Sequence, residues 1–171
     1  MDDVERWHDF FLLLGTAGAT LLALLFVAVS LGAGFLSDER ARATRAFFSP
    51  VVVHFSAVFF VSAVALVPGH HTAMLAAALA ACAACGLVIS LYTTVELLRH
   101  AWTTYKQDHL AYGMLPTAGY FAWFAAAAMI WFGREFALDV VAGAMLLLLL
   151  VNIRNAWDLT LSMVRRQSTR R

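Results

Sequence analysis

The chain has 171 residues, of which 62% are hydrophobic and 13% are charged, and its formal net charge is +1. A soluble globular domain is about half apolar and about a quarter charged, so this composition excludes an ordinary soluble domain and indicates a polytopic membrane protein. The near-zero net charge gives no support for nucleic acid binding. Cys82 and Cys85 lie inside an apolar run and do not identify a redox compartment.

Five apolar blocks follow one another along the chain, at about residues 10–36, 50–67, 72–99, 110–132 and 136–160. A helix needs about 20 apolar residues to cross a bilayer, so each block predicts one transmembrane helix. The first block is preceded by acids instead of basic residues and is too long for the core of a signal peptide, so we expect it to be retained as a span. Residues 1–171 are therefore predicted to form a single all-α membrane domain without a soluble domain.

Small residues mark the helix faces that are expected to pack. Gly15 and Gly18 thin the first span, and Ala77, Ala81 and Cys85 recur at four-residue spacing in the third. Both patterns are typical of close helix contacts in membranes. We therefore expect the third span to be central in the bundle, and we expect these faces to favour self-association of the chain.

A short basic segment separates the first two spans. Residues 38–48 contain three arginines and are expected to lie among lipid headgroups as an amphipathic helix. Ser49 and Pro50 then have the residue types of an N-cap and a first helical position. This pair predicts that the second span begins at Pro50.

The distribution of basic residues sets the expected orientation. Lysine and arginine are concentrated after the first span, after the third span and in the C-terminal tail, whereas the opposite segments hold only Arg6 and Arg134. Because basic loops stay in the cytoplasm, we expect the N-terminus outside and the C-terminus in the cytoplasm.

The end of the fifth span carries a polar seam of Asn152, Arg154, Asn155 and Asp158. At 100° per residue these side chains fall within about half of the helix circumference. Glu96, far along the third span, and His54, one turn into the second span as predicted, are expected at a similar depth. Ionisable groups at this level are costly unless they are paired or wetted, so Arg154 is expected to pair with Glu96 or Asp158.

Two interpretations of this layer remain open. In the first, His54 and Glu96 are titratable members of an ion or proton pathway that the seam lines or gates. In the second, the seam is a structural ion pair near the interface, whose long arginine side chain reaches water.

Other classes of function lack their sequence patterns. The adjacent His70 and His71 in a turn point apart, so no metal site is predicted. Cys82-Ala-Ala-Cys85 has the spacing of a redox pair but lies inside a span, where packing explains it better. The single lysine, Lys106, lies in a loop, and no phosphate-binding, dinucleotide or zinc-protease motif occurs. We therefore expect neither enzyme activity nor a cofactor.

Two stretches, LAYGMLPTAGYFAW (110–123) and VNIRNAWDLTLSMV (151–164), resemble parts of small bacterial membrane proteins. The resemblance covers the last third of the chain and implies the bacterial inner (plasma) membrane as its setting.

Two classes of function are consistent with these features. The leading expectation is a homo-oligomeric channel- or transporter-like protein for protons or small ions, surrounded by the lipid bilayer. The alternative is a non-conducting accessory or scaffold subunit that binds another membrane protein through its small-residue helix faces.

Overall fold

Five α-helices and one π-helical segment form the described part of the chain. In this computed structural model, which describes residues 6–33, 38–69, 72–99 and 109–168, the helices are α1 (His8–Ala33), α2 (Asp38–Ala65), α3 (Thr72–Arg99), α4 (Leu115–Trp131) and α5 (Ala137–Ser168). The π-helix, His109–Met114, leads directly into α4. No strand occurs within these ranges, which confirms the all-α prediction for them.

The helices have the length and composition of a multi-pass membrane protein. Four segments are long and apolar enough to cross a membrane, namely His8–Ala28, Thr72–Arg99, Ala111–Trp131 and Ala137–Asp158, and Pro50–Ala65 is a shorter apolar helix. Large apolar side chains such as Leu13, Val88 and Phe121 are exposed in mid-helix. An apolar outer surface of this kind suits contact with lipid tails.

The second helix begins earlier than the sequence predicts. A single helix runs from Asp38 to Ala65 with Pro50 inside it, so the basic segment 38–48 and the second span are continuous. Proline removes one backbone hydrogen bond, and membrane helices tolerate it where neighbouring groups satisfy the freed carbonyl. The prediction that a helix begins at Pro50 is therefore wrong, although Ser49 and Pro50 have the residue types of a helix start. The side chains of residues 38–49 lie outside the described set.

Helices α2 and α5 form the centre of the bundle. Helix α2 contacts α1, α3 and α5, while α5 contacts α1, α2 and α4. In the apolar window of α5, 56% of the residues are buried, against 33% for α3, so the expectation of a central third span does not hold. The bulky side chains of Met145 and Leu148 are fully buried on α5, whereas the alanine-rich helix has less side-chain surface to bury.

Glycines set how closely neighbouring helices approach. A Cβ at Gly15 would lie 2.9 Å from Cβ of Ser62, and one at Gly18 would lie 3.4 Å from the carbonyl oxygen of Phe55, so both glycines face α2 across the α1–α2 contact. On the other side of the bundle, a Cβ at Gly119 would lie 2.9 Å from Cγ of Leu148. Helix α4 is thereby brought against α5.

The two ends of the bundle differ. Gly69 and Gly133 adopt positive φ angles of 69° and 65° in the turns that follow α2 and α4. A left-handed residue after a helix is most readily supplied by glycine. We call the end with these turns the turn end, and the opposite end, which holds Glu96, Arg99, Arg154 and Asp158, the charged end.

Replacing Gly86 by alanine should destabilise the bundle, because the added Cβ would overlap the ring of Tyr120 on α4. We expect a loss of about 1–3 kcal/mol, the usual cost of overpacking a core. The matched control is Gly143→Ala on α5, where an added Cβ meets no heavy atom within 4 Å. Unfolding titrations in mixed micelles measure the difference, and equal stability of the two variants would contradict the described α3–α4 contact.

Candidate functional site: a buried polar column

Two ion pairs lie at the charged end. Nη2 of Arg154 is 3.6 Å from Oδ2 of Asp158, and Nη1 of Arg99 is 4.0 Å from Oε2 of Glu96. Of the two partners expected for Arg154, Asp158 is therefore the one with which it forms an ion pair. All four side chains are at least 40% exposed, and exposed pairs of this kind contribute little to stability.

The two asparagines of the predicted seam point into the bundle instead. Asn152 and Asn155 are 0% and 1% exposed. Nδ2 of Asn152 donates to the carbonyl of Leu148 at 2.7 Å, and Nδ2 of Asn155 donates to the carbonyl of Ala111 at 3.0 Å. Their Oδ1 atoms are buried and have no hydrogen-bond partner among the described residues. The seam is thus divided into a half-exposed ion pair and a buried pair of amides.

Of the two asparagines, Asn155 contacts the π-helix that precedes α4. The hydroxyl of Tyr112 donates to the backbone carbonyl of Asn155 at 3.1 Å. Because the Asn155 side chain donates to Ala111, the π-helix and Asn155 each donate one hydrogen bond to the other. Pro116 has no N–H to give to the carbonyl four residues earlier, and π-helical turns arise where the regular α pattern is interrupted in this way. Gly113 allows α3 to approach, since a Cβ there would lie 2.7 Å from Oγ1 of Thr94.

A further buried polar contact joins α2 to α4. Nδ1 of His54 lies 2.6 Å from the hydroxyl of Tyr120, and the two side chains are 2% and 0% exposed. The Tyr120 ring packs edge-to-face against Trp123 at 5.7 Å. Nε1 of Trp123 is buried without a hydrogen-bond partner among the described residues.

His54 and Glu96 do not share a layer, contrary to the sequence expectation. The hydroxyl of Tyr120 bonds His54, and the ring of Tyr120 lies against Gly86 of α3. Glu96 is ten residues further along α3. Ten helical residues span about 15 Å. The expectation counted the depth of His54 from Pro50, but α2 begins at Asp38, so His54 lies much deeper in the bundle.

The helix register aligns the buried polar groups in successive levels. Gly86 faces Tyr120 and Thr94 faces Gly113, while Gly119 faces Leu148 and Ala111 bonds Asn155. Ser90 and Asn152 each lie four residues, or about 6 Å, further toward the charged end than the His54–Tyr120 contact. Thr94 and Asn155 follow about one turn later. We call this set the polar column: Trp123, Tyr120, His54, Ser90, Asn152, Thr94, Tyr112 and Asn155.

Sequence reasoning missed several members of the polar column. It did not single out Tyr120, Tyr112, Ser90, Thr94 or Trp123 as site residues. The available signal was the position of Tyr120 inside an apolar block, because a tyrosine distant from both ends of a span needs an internal hydrogen-bond partner.

The predicted packing face of α3 points away from the rest of the bundle. Ala77, Ala81 and Cys85 are all exposed in the structure, so any packing role for them involves another chain and stays a prediction. Among the described residues, no group of three or more histidine, cysteine or acidic side chains is arranged to hold a metal ion. His70 and His71 lie outside the described residues.

No family model, curated protein or solved structure gives a significant match to the chain. Its own residues are therefore the guide to its function.

Removing the hydroxyl of Tyr120 should destabilise the bundle, because Tyr120→Phe leaves Nδ1 of His54 buried without its partner. We expect a cost of about 1–3 kcal/mol, against a change within about 0.5 kcal/mol for the exposed control Tyr92→Phe. A double-mutant cycle with His54→Leu should give a coupling energy of at least about 0.5 kcal/mol. Strictly additive effects in unfolding titrations would contradict the hydrogen bond.

Proposed function

We propose that the chain is a transport-type membrane protein, a channel or carrier for protons or small ions, with the polar column as its pathway. The observation that supports this proposal is a run of buried polar groups that extends from the middle of the bundle to the charged end. Polar groups inside membrane bundles are costly and are concentrated on substrate and ion routes. Apolar side chains of similar size would fill the same volume at lower cost.

The unsatisfied atoms of the polar column support a route more strongly than a purely structural network. Nε1 of Trp123 and the Oδ1 atoms of Asn152 and Asn155 are buried without partners among the described residues. Leaving such a group unpaired costs about 1–3 kcal/mol. A network that served stability alone would be expected to satisfy them, whereas a pathway leaves donors and acceptors for what passes through.

His54 is the one histidine of the polar column. Its imidazole has two nitrogens, of which Nδ1 contacts the Tyr120 hydroxyl, and imidazole can accept a proton on one nitrogen and release one from the other. Glu96 and the Arg154–Asp158 pair lie at the charged end. In this proposal they attract or repel ions where the pathway opens.

The setting follows from the same features. We propose a homo-oligomer in the bacterial inner membrane, associated through the exposed face of Ala77, Ala81 and Cys85. Small residues on a lipid-facing helix allow close approach of a second helix. If another membrane protein occupied that face instead, the chain would be an accessory subunit and no flux would be measured.

We further propose that the turn end faces outward and the charged end faces the cytoplasm. In a variant without the native cysteines, Arg134→Cys at the turn end should react with a membrane-impermeant maleimide in intact cells, because Arg134 is exposed there. Arg99→Cys should react only after permeabilisation. Complete labelling of both variants in detergent is the control, and the opposite pattern in cells would reverse the proposed orientation.

Replacing His54 by glutamine should slow proton flux at least about tenfold, because glutamine keeps a polar side chain but cannot relay a proton. The assay is dye-reported proton uptake into liposomes that contain the purified full-length chain, with empty liposomes as background. Tyr92→Phe, on the exposed face of α3, is the control and should leave flux unchanged. Unchanged proton flux in a folded His54→Gln variant would remove His54 from the pathway, and absence of both proton flux and alkali-cation flux in the wild type would overturn the transport proposal.

A further inference from the structure

Two buried oxygens of α5 lack a donor. Oδ1 of Asn152 and Oδ1 of Asn155 are fully enclosed, and no described residue donates a hydrogen bond to either atom. The two residues are three positions apart on one helix and therefore lie on the same side of it. Both oxygens are hydrogen-bond acceptors, so they cannot satisfy each other.

The orientation of both amides is fixed by their nitrogens. Nδ2 of Asn152 donates to the carbonyl of Leu148, and Nδ2 of Asn155 donates to the carbonyl of Ala111. Turning either amide over would place an oxygen against a carbonyl oxygen. The unpartnered atoms are therefore acceptors in the only arrangement that the neighbouring carbonyls allow.

Backbone carbonyls lie near these oxygens, and no described residue places a buried carboxylate there. The π-helix, His109–Met114, brings irregular backbone next to Asn155. Irregular backbone at membrane depth is found where it is enclosed by protein or lines a cavity, and its carbonyls coordinate monovalent cations in transporters. Asp158, the acid nearest in sequence, is half-exposed and paired with Arg154.

We propose that the amide oxygens of Asn152 and Asn155, beside the backbone of the π-helix, form a binding site for a monovalent alkali cation, Na⁺ or K⁺. Neutral oxygens without a carboxylate suit a single positive charge, whereas a divalent ion takes carboxylate ligands. The site names the substrate class of the proposed pathway and rests on that function for its purpose, although cation binding is measurable without flux.

The test is the cation dependence of thermal unfolding of the purified full-length chain in detergent. Chloride salts of Na⁺, K⁺, Li⁺ and N-methyl-D-glucamine are compared at equal ionic strength. A ligand that binds only the folded state raises Tm, and near-saturation should give a rise of about 5 °C in Na⁺ or K⁺ over the large organic cation. Equilibrium binding of radioactive Na⁺, with competition by K⁺ and Li⁺, is the second measurement.

Asn152→Leu is the informative variant. The Asn152 side chain donates only to its own helix, so leucine of similar size should fold while removing one ligand oxygen, and the cation-dependent rise in Tm should disappear. The matched control is Thr160→Val, which removes a hydroxyl bonded to Ala156 on the same helix beyond the site. This control should keep the full rise.

The outcomes separate the site from the transport function. An equal Tm in all four salts, with no saturable binding of radioactive Na⁺ to the wild type, would overturn the site and leave the two oxygens to water. A rise that persists in folded Asn152→Leu would also overturn it. Saturable Na⁺ binding without flux of protons or alkali cations into liposomes would support the site and contradict transport. Flux of either kind without Na⁺ binding would support transport and contradict the site.

Discussion

The absence of water among lipid tails is the constraint on which this structure depends. Every polar group inside the bundle must find its partner within the protein, because an unpaired one has no solvent to bond. The hydrogen bond between His54 and Tyr120 meets that requirement across two helices, α2 and α4. It requires α3 to leave room for the tyrosine ring, and Gly86 provides that room. The His54–Tyr120 contact thus requires a glycine at position 86 of α3.

The same requirement organises the polar column below this contact. The glycines at positions 86, 113 and 119 bring α4 and its π-helix between α3 and α5, so that polar side chains of three helices are at matching levels. Most of these groups satisfy one another or a carbonyl, as Asn155 and Tyr112 do. Two ion pairs, Glu96–Arg99 and Arg154–Asp158, lie at the charged end, where their side chains are at least 40% exposed. Polarity therefore increases in steps from the centre of the bundle to one end.

Sequence periodicity and hydropathy were sufficient for the number and type of helices, because an apolar block of span length leaves the backbone few alternatives to a helix. They were insufficient for depth. Whether a helix begins at Pro50 or continues from Asp38 depends on whether the freed carbonyl finds a partner, which is a property of the fold and not of the Ser-Pro pair. That one difference moved His54 from the predicted layer of Glu96 to the layer of Tyr120. The seam on α5 was recognised as polar, but its division between buried amides and an exposed ion pair required the position of the π-helix.

The contrast between satisfied and unsatisfied polar groups then bears on function. Ser90, Thr94 and Thr160 each bond a carbonyl of the preceding turn, as hydroxyls in membrane helices commonly do. Asn152 and Asn155 satisfy their nitrogens in a comparable way, yet each leaves an oxygen enclosed. Leucine at either position would fill a similar volume without adding an acceptor. An amide at both positions places two acceptors on one face of α5, next to the irregular backbone of the π-helix. Uncharged protein oxygens of this kind can replace the hydration shell of a monovalent ion.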